Sequence, residues 1–176
     1  QDSYDTIFVV MPRRSLNSSE LSALTSFVQS GRHKRVVLVG EYGQSYATYN
    51  ARLNEVAVAL SINSRFSTAY SGYDGGVNRD RLCPVEANHY LMAGVASLWC
   101  AATDEFSGWQ GNARPLTYIY SAQTKPWVVE EDTLSGGSIV AVHDSNIGDT
   151  GYNDSYDTVP AKNFKFLHNV CTIYPQ

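Results

Sequence analysis

Apolar residues fall into two alternating kinds of stretch along the chain. Tyr4 to Met11 (Tyr-Asp-Thr-Ile-Phe-Val-Val-Met) is β-branched and aromatic and stops at Pro12, which predicts a buried strand at the start. The period then changes. Leu21, Leu24, Phe27 and Val28 recur at i, i+3, i+6 and i+7, Asn17 can cap the helix with Glu20 three residues on as in a capping box, and Gly31 ends it. Arg35 to Val39 is an unbroken run with three valines, the composition of a strand buried on both faces of a parallel sheet. Strand, helix and parallel strand in that order make a right-handed βαβ unit.

The second strand halts at Gly40-Glu41-Tyr42-Gly43, where two glycines allow a sharp, left-handed turn. Leu53, Val56, Ala57 and Leu60 then predict a helix over 50–62. Ser64 to Ser71 alternates weakly, as a strand does, and 72–84 reads as a loop rich in Gly, Asp, Asn and Arg. Ala96 to Ala101 is the next strand, and 103–114 is loop again, with Trp109 between glycines. Strands follow at Pro115 to Ser121, Trp127 to Glu131 and Ser138 to His143, the last two separated by the turn signal Ser135-Gly136-Gly137. A polar loop leads to a closing helix over Lys162 to Ile173, with Phe166, Asn169, Val170 and Ile173 along one side. The order predicts an α/β three-layer sandwich with a mainly parallel sheet, in a single domain over 1–176.

Composition narrows the partners. With 176 residues, 43% of them hydrophobic, the chain suffices for one buried core and is short for two. A formal charge of -4 leaves no basic surface for phosphates, which argues against nucleic acid. No apolar run approaches the roughly 20 residues of a membrane span. Few lysines, many Ser, Thr, Asn and Tyr residues, and the sequons at Asn17 and Asn153 point to an extracellular protein. Cys83 and Cys100 flank one irregular segment and could close a disulfide, while Cys171 reads as a buried thiol on an apolar helical face.

Several stretches carry a family likeness: Tyr4-Asp-Thr-Ile-Phe-Val-Val, the helix from Leu16 to Gly31, and Arg35-Val-Val-Leu-Val-Gly40; then His89-Tyr-Leu-Met-Ala-Gly-Val-Ala-Ser-Leu98, Ser138-Ile-Val-Ala-Val-His-Asp-Ser-Asn146, and a final helix with Asn163, Phe166 and Asn169. Together they resemble class I glutamine amidotransferase-like domains, and more closely the non-amidotransferase relatives found in large secreted proteins. The resemblance implies a flavodoxin-like sheet. It also implies an additional first strand and helix, which this chain lacks or receives from a parent protein, leaving a sheet edge as one route to pairing. In amidotransferases the turn after the second strand reads G-x-C-x-G and its cysteine attacks glutamine; here Glu41 stands at that place. A carboxylate does not replace that thiolate, so amidotransferase activity is not expected.

Candidate chemistry gathers at strand ends, where open α/β sheets bind ligands. If the strands ending at Val39 and His143 are neighbours, Glu41, His143 and Asp144 share one crevice, as an acid/base pair or metal site for a hydrolase acting on a carbohydrate or small molecule. The alternative is structural: Asp144 and Asn146 bond turn amides and Glu41 holds a loop or helix end. Asp144 and Asp149 are the candidates for a divalent metal, with Asn146, Asp154 and Asp157 nearby, though no EF-hand spacing is present. No other cofactor is indicated. Tyr42, Tyr46, Trp109, Asn146 and Tyr152 are candidate ligand-binding residues, because aromatic rings in turns suit sugars or a protein partner. The expected role is a non-catalytic module binding carbohydrate, protein or other domains of a parent chain, with the hydrolase as the alternative.

Overall fold

A computed structural model describes residues 4–69, 80–83, 85–101, 103–119, 122–134, 136–148 and 163–174. The first strand, β1 (Thr6–Val10), is followed by helix α1 (Ser18–Gln29), strand β2 (Arg35–Val39) and helix α2 (Gly43–Ala59). Two short strands, β3 (Arg65–Phe66) and β4 (Asp80–Cys83), precede a 3-10 turn over Tyr90–Met92 and strand β5 (Leu98–Ala101). Then come β6 (Phe106–Gly108), β7 (Ala113–Ile119), β8 (Ala122–Asp132), β9 (Ser138–Val142), a second 3-10 turn (Ser145–Gly148) and helix α3 (Asn163–Thr172). Five strands form one sheet in the order β1-β2-β9-β8-β7, while β3 pairs with β6 and β4 with β5. The chain thus has a mixed α/β fold, with a five-stranded sheet flanked by helices.

The βαβ reading holds: β1 and β2 are parallel, and β2 is parallel to β9. The rest of the sheet is not. β8 runs antiparallel to β9 and β7 to β8, so only half of the strand pairings are parallel and the mainly parallel expectation is corrected. The cause is chain length between strands: the stretch from Asp132 to Ser138 is too short for a crossover, so β9 runs back along β8. Close packing fixes that turn, since a Cβ on Gly137 would lie 2.0 Å from the Val28 carbonyl oxygen at the end of α1.

Each face of the sheet buries its own cluster. Val36, Leu38, Ile139 and Ala141 meet Leu24 and Val28 of α1 and Leu53, Val56 and Ala57 of α2. On the opposite face Val37, Val39, Val140 and Val142 meet Phe166 and Val170 of α3, with Leu91, Met92 and Leu98. The capping box at Asn17 and Glu20 forms as the sequence predicts.

Other boundaries shift. Helix α2 begins at Gly43, well before Asn50, with a kink at Tyr46. Among the described residues of the weakly alternating 64–71 stretch, Arg65 and Phe66 pair as a strand, and the 103–114 loop contains β6. The first strand is not buried: Phe8 and Val10 are 41% and 52% exposed, because β1 lies at the sheet edge. Cys171 is exposed rather than buried, on the outer side of α3. The Cys83 and Cys100 sulfurs meet in the core 3.0 Å apart, a contact and not a bond.

Arg35, the first residue of the strand the sequence predicts over Arg35–Val39, is fully buried at the amino edge of the sheet. Its guanidinium donates to Ser138 Oγ (3.0 Å), to Tyr90 Oη (3.0 Å), and to the carbonyls of Val170 and Ile173 (3.0 Å) at the end of α3. Glu130 lies 3.7 Å away, and also takes Arg114 (3.0 Å), the His89 ring nitrogen (3.1 Å) and the Tyr90 hydroxyl. Burial pushes the Glu130 carboxyl up, but these donors and cations outweigh it and leave it below its usual value.

Candidate functional site

The carboxyl ends of β2 and β9 lie side by side, with Val39 in register with Val142 and the Gly40 amide donating to the Val142 carbonyl at 2.9 Å. Glu41 and His143-Asp144 therefore leave one edge together, as the sequence anticipates. The turn between β2 and α2 is not left-handed: neither Gly40 nor Gly43 has positive φ. Glycine is required there for space. A Cβ on Gly40 would meet Phe66 Cδ1 at 2.6 Å and Asn50 Oδ1 at 2.7 Å, and one on Gly43 would meet the Ala69 carbonyl oxygen at 2.6 Å.

What fills that space is a set of polar side chains bonded to backbone. Asn50, buried on α2, accepts the Glu41 amide (3.1 Å) and donates to the carbonyls of Glu41 and Ser67 (2.7 Å). An amide side chain carries both donors and an acceptor, so one residue serves three backbone groups. Asp104, in the loop between β5 and β6, accepts the Gly43 amide at 2.7 Å. Glu41 itself, only 4% exposed, accepts the Tyr42 amide on Oε1 (2.9 Å), and the Ser145 hydroxyl (2.5 Å) and amide (3.3 Å) on Oε2. Ser145 thus clasps the end of β9 to the end of β2.

His143 has no solvent face. Its ring forms a three-ring cluster with Phe66 and Phe106, with centroids 5.4 and 5.3 Å away and the two phenylalanines 5.2 Å from each other, and its Nε2 accepts the Ser67 amide at 2.9 Å. That acceptance places the proton of the neutral ring on Nδ1, which is buried and has no hydrogen-bond partner among the described residues. Burial depresses the imidazole to about 4 against the pull of the Asp104 charge. Burial acts oppositely on Glu41, raising its carboxyl despite the bonds from Ser145 and Tyr42, with Asp104 adding to the rise.

Asp144 is buried, and its Oδ1 accepts both the Asn146 amide (2.8 Å) and the Asn146 side-chain nitrogen (3.0 Å). This is the turn-bonding alternative in physical form. Asn146 is thereby bound to Asp144, although it also borders an apolar cleft of about 410 Å³ with Phe8, Val10, Val39, Ile147 and Leu167. Among the described residues no group of three or more His, Cys, Asp or Glu side chains is arranged to hold a metal. Asp149, Asp154, Asp157 and Tyr152 lie outside the described residues.

The candidate aromatics separate into two places. Tyr42 and Tyr46 meet edge to face at 5.4 Å, and Tyr46 leans on Tyr49 at 6.0 Å; Tyr42 immediately precedes α2, and Tyr46 and Tyr49 sit on its first turns rather than in a loop. Trp109 borders a different cleft of about 360 Å³, lined also by Asn63, Ser107, Gln110 and the Glu105–Lys125 ion pair (2.6 Å). Asn50, Ser67, Asp104 and Ser145 are the members of the edge cluster that sequence reasoning missed. Only Ser145 carried a signal, lying beside His143-Asp144; Ser67 and Asp104 sit in loops with no periodicity to mark them.

The two asparagines of the closing helix explain their own spacing. Asn163 accepts the Trp99 amide (2.9 Å) and donates to its carbonyl (3.0 Å), while Asn169 donates to the carbonyls of Leu91 and Ala93 (2.8 and 2.9 Å). Residues six apart on α3 thus hold the whole 91–99 stretch against the sheet.

No family model matches the chain, and no curated protein matches it. Among solved structures, it is similar to the cytoplasmic protein STM3548 from Salmonella typhimurium, with a TM-score of 0.65 at 12% identity over 98% of this chain and 73% of that one. At that identity the likeness is one of fold. No helix of the described residues is long and apolar enough to cross a membrane.

Proposed function

We propose that this chain is a non-catalytic interaction module of an extracellular protein, built on a class I glutamine amidotransferase-like, flavodoxin-like scaffold without amidotransferase activity. The observation that carries this reading is the closure of the strand edge. His143 is fully buried against Phe66 and Phe106 with Nε2 engaged by Ser67, Asp144 is engaged by Asn146, and Glu41 receives three donors. A general acid or base must reach a substrate proton directly or through one water, and a fully enclosed imidazole does not. The scaffold name is supported by the motif asparagines Asn163 and Asn169 holding the segment that resembles the family's, and by Glu41 at the turn where the family's cysteine stands.

The ligand surface of this reading is the Trp109 cleft, and its ligand is a carbohydrate. An indole face beside amides, a hydroxyl and an ion pair offers apolar contact to a sugar ring and polar contact to its hydroxyls. One observation favours the second reading, a hydrolase: the raised Glu41 carboxyl holds the half-buried Ser145 hydroxyl at the rim of the 410 Å³ cleft, an arrangement in which the carboxylate could act as base.

One experiment addresses both. Ester, amide and glycoside probes are incubated with wild type and Glu41→Gln, and melting temperatures are recorded with a panel of oligosaccharides for wild type, Trp109→Ala and Gln110→Ala. The expected result is no turnover in either protein, with a saccharide-dependent rise in melting temperature that either cleft substitution abolishes. Turnover lost in Glu41→Gln would establish the hydrolase. Absence of any saccharide response would remove carbohydrate as the ligand.

A further inference from the structure

Asn17-Ser18-Ser19 is a sequon whose middle residue is not proline, the pattern that an N-linked oligosaccharide requires. A sequon can be buried, or its amide nitrogen bonded out of use, and here neither is the case. Asn17, Ser18 and Ser19 are all exposed, where the connection from β1 enters the first turn of α1. Asn17 has extended backbone (φ -75°, ψ 170°), and its side-chain oxygen is the committed atom. Oδ1 accepts the Glu20 amide at 2.9 Å, while the Glu20 carboxylate accepts the Asn17 backbone amide at 2.9 Å. Asn17 Nδ2 and the Ser19 hydroxyl make no hydrogen bond among the described residues.

Capping and modification therefore use different atoms of one side chain. A carboxamide substituted once on nitrogen keeps its carbonyl oxygen as an acceptor, so a sugar on Nδ2 leaves the N-cap bond in place. Space is present as well. Ser18, Ser22 and Ser26 follow one another four apart on α1, with Ser19 and Ala23 beside them, and these small exposed side chains border an open hollow of about 430 Å³. A sugar ring beside this face meets hydroxyls and a methyl group.

We propose that Asn17 carries an N-linked oligosaccharide, an inference that rests on the extracellular reading above. The bond formed joins Asn17 Nδ2 to the anomeric carbon of the first sugar. The bond broken joins that carbon to the diphosphate of a lipid-linked oligosaccharide, the co-reactant that the secretory pathway supplies. The lipid diphosphate leaves with the bonding electron pair, and Nδ2 gives up one proton.

The test is expression of the 176-residue chain behind a cleavable signal peptide in cultured animal cells, beside Ser19→Ala and Asn17→Asp. Ser19→Ala breaks the sequon without touching the capping atoms, and Asn17→Asp keeps an N-cap as good as asparagine, so both variants fold; circular dichroism checks this. Secreted and cell-retained material are both mapped by peptide mass, before and after treatment with a peptide N-glycosidase. Mapping separates this site from the sequon at Asn153, which lies outside the described residues. The expected result is a glycan on the peptide spanning Asn17 in most wild-type chains, converted by the enzyme to the mass of an aspartate at that position, and no glycan on that peptide in either variant. A bare Asn17 in both pools of wild type overturns the proposal. So does a glycan that persists in Ser19→Ala and Asn17→Asp, since it would sit on a serine of α1. Retention of all three chains in the cell counts against the extracellular reading instead, and occupancy of Asn17 in the retained pool still decides the proposal.

Discussion

Replacing Arg35 by methionine removes a fully buried cation at the amino edge of the sheet while keeping most of its aliphatic volume. The loss is large because several groups depend on that guanidinium at once: Ser138 Oγ, Tyr90 Oη, the carbonyls of Val170 and Ile173, and the Glu130 carboxylate 3.7 Å away. The two carbonyls belong to the last turn of α3 and the residue after it, where a cation also meets the negative end of the helix dipole. Removing one partner from a buried ion pair costs about 3–5 kcal/mol. Glu130 keeps Arg114, His89 and Tyr90, which places Arg35→Met near the lower figure, about 3 kcal/mol. At about 2–4 °C per kcal/mol for a chain of this size, the melting temperature should fall by roughly 6–12 °C. Urea unfolding followed by circular dichroism gives the free energy directly. Adding Glu130→Gln to Arg35→Met should cost less than the sum of the single effects by at least about 1 kcal/mol, as expected for residues in one network. A loss below about 1 kcal/mol, the range of a surface pair, or strict additivity of the two substitutions, would refute the reasoning.

Three other outcomes follow from the same geometry. Gly40→Ala should lower stability by about 1–3 kcal/mol, since its methyl would press on the buried Phe66 ring and Asn50; an unchanged urea midpoint would show that the turn has room. Oxidation of Cys83 with Cys100 should add about 3 kcal/mol for a loop of this length, read as the difference in urea midpoint with and without reductant after the bond is verified by mass. Because the Glu41 carboxyl is raised in the folded state, its contribution is fully present below its unfolded value and is lost as pH rises through the folded value. Glu41→Gln should therefore gain stability relative to wild type on going from acid to neutral pH, and parallel stability curves for the two proteins would count against the burial of that carboxylate.

The legible parts of the sequence were those in which one short stretch decides the outcome. The valine run of β2 is buried on both sides of the sheet, the Leu53–Leu60 periodicity packs α2, and Asn17 with Glu20 forms the capping box of α1 within four residues. The convergence of Glu41 with His143 followed from two buried strands being neighbours. What the sequence could not give was the exposure of β1, because the same apolar pattern suits a central strand and an edge, and only the sheet order distinguishes them. The chemistry at the strand ends was hidden for a related reason. Glu41 and Ser145 are 104 residues apart, and Ser67 and His143 are 76 apart, so no spacing announces either bond. Arg35 was placed in the buried strand, but its guanidinium's partners at the end of α3 lie about 135 residues away, so no spacing announces them.

The central claim, that the strand edge is closed against chemistry, rests most directly on His143. Its folded value near 4 lies below the ordinary 6.5, so its stabilising effect is present above 6.5 and is lost as pH falls toward 4. The direct measurement is nitrogen-15 NMR of the imidazole rings across pH 4.5 to 8. The account predicts that His143 remains a single neutral tautomer over most of that range, with its proton on Nδ1, Nε2 bonded to the Ser67 amide, and protonation only toward the acid end. A His143 ring that titrates near 6.5, or that exchanges between tautomers at neutral pH, would mean an imidazole open to solvent and would contradict the non-catalytic reading.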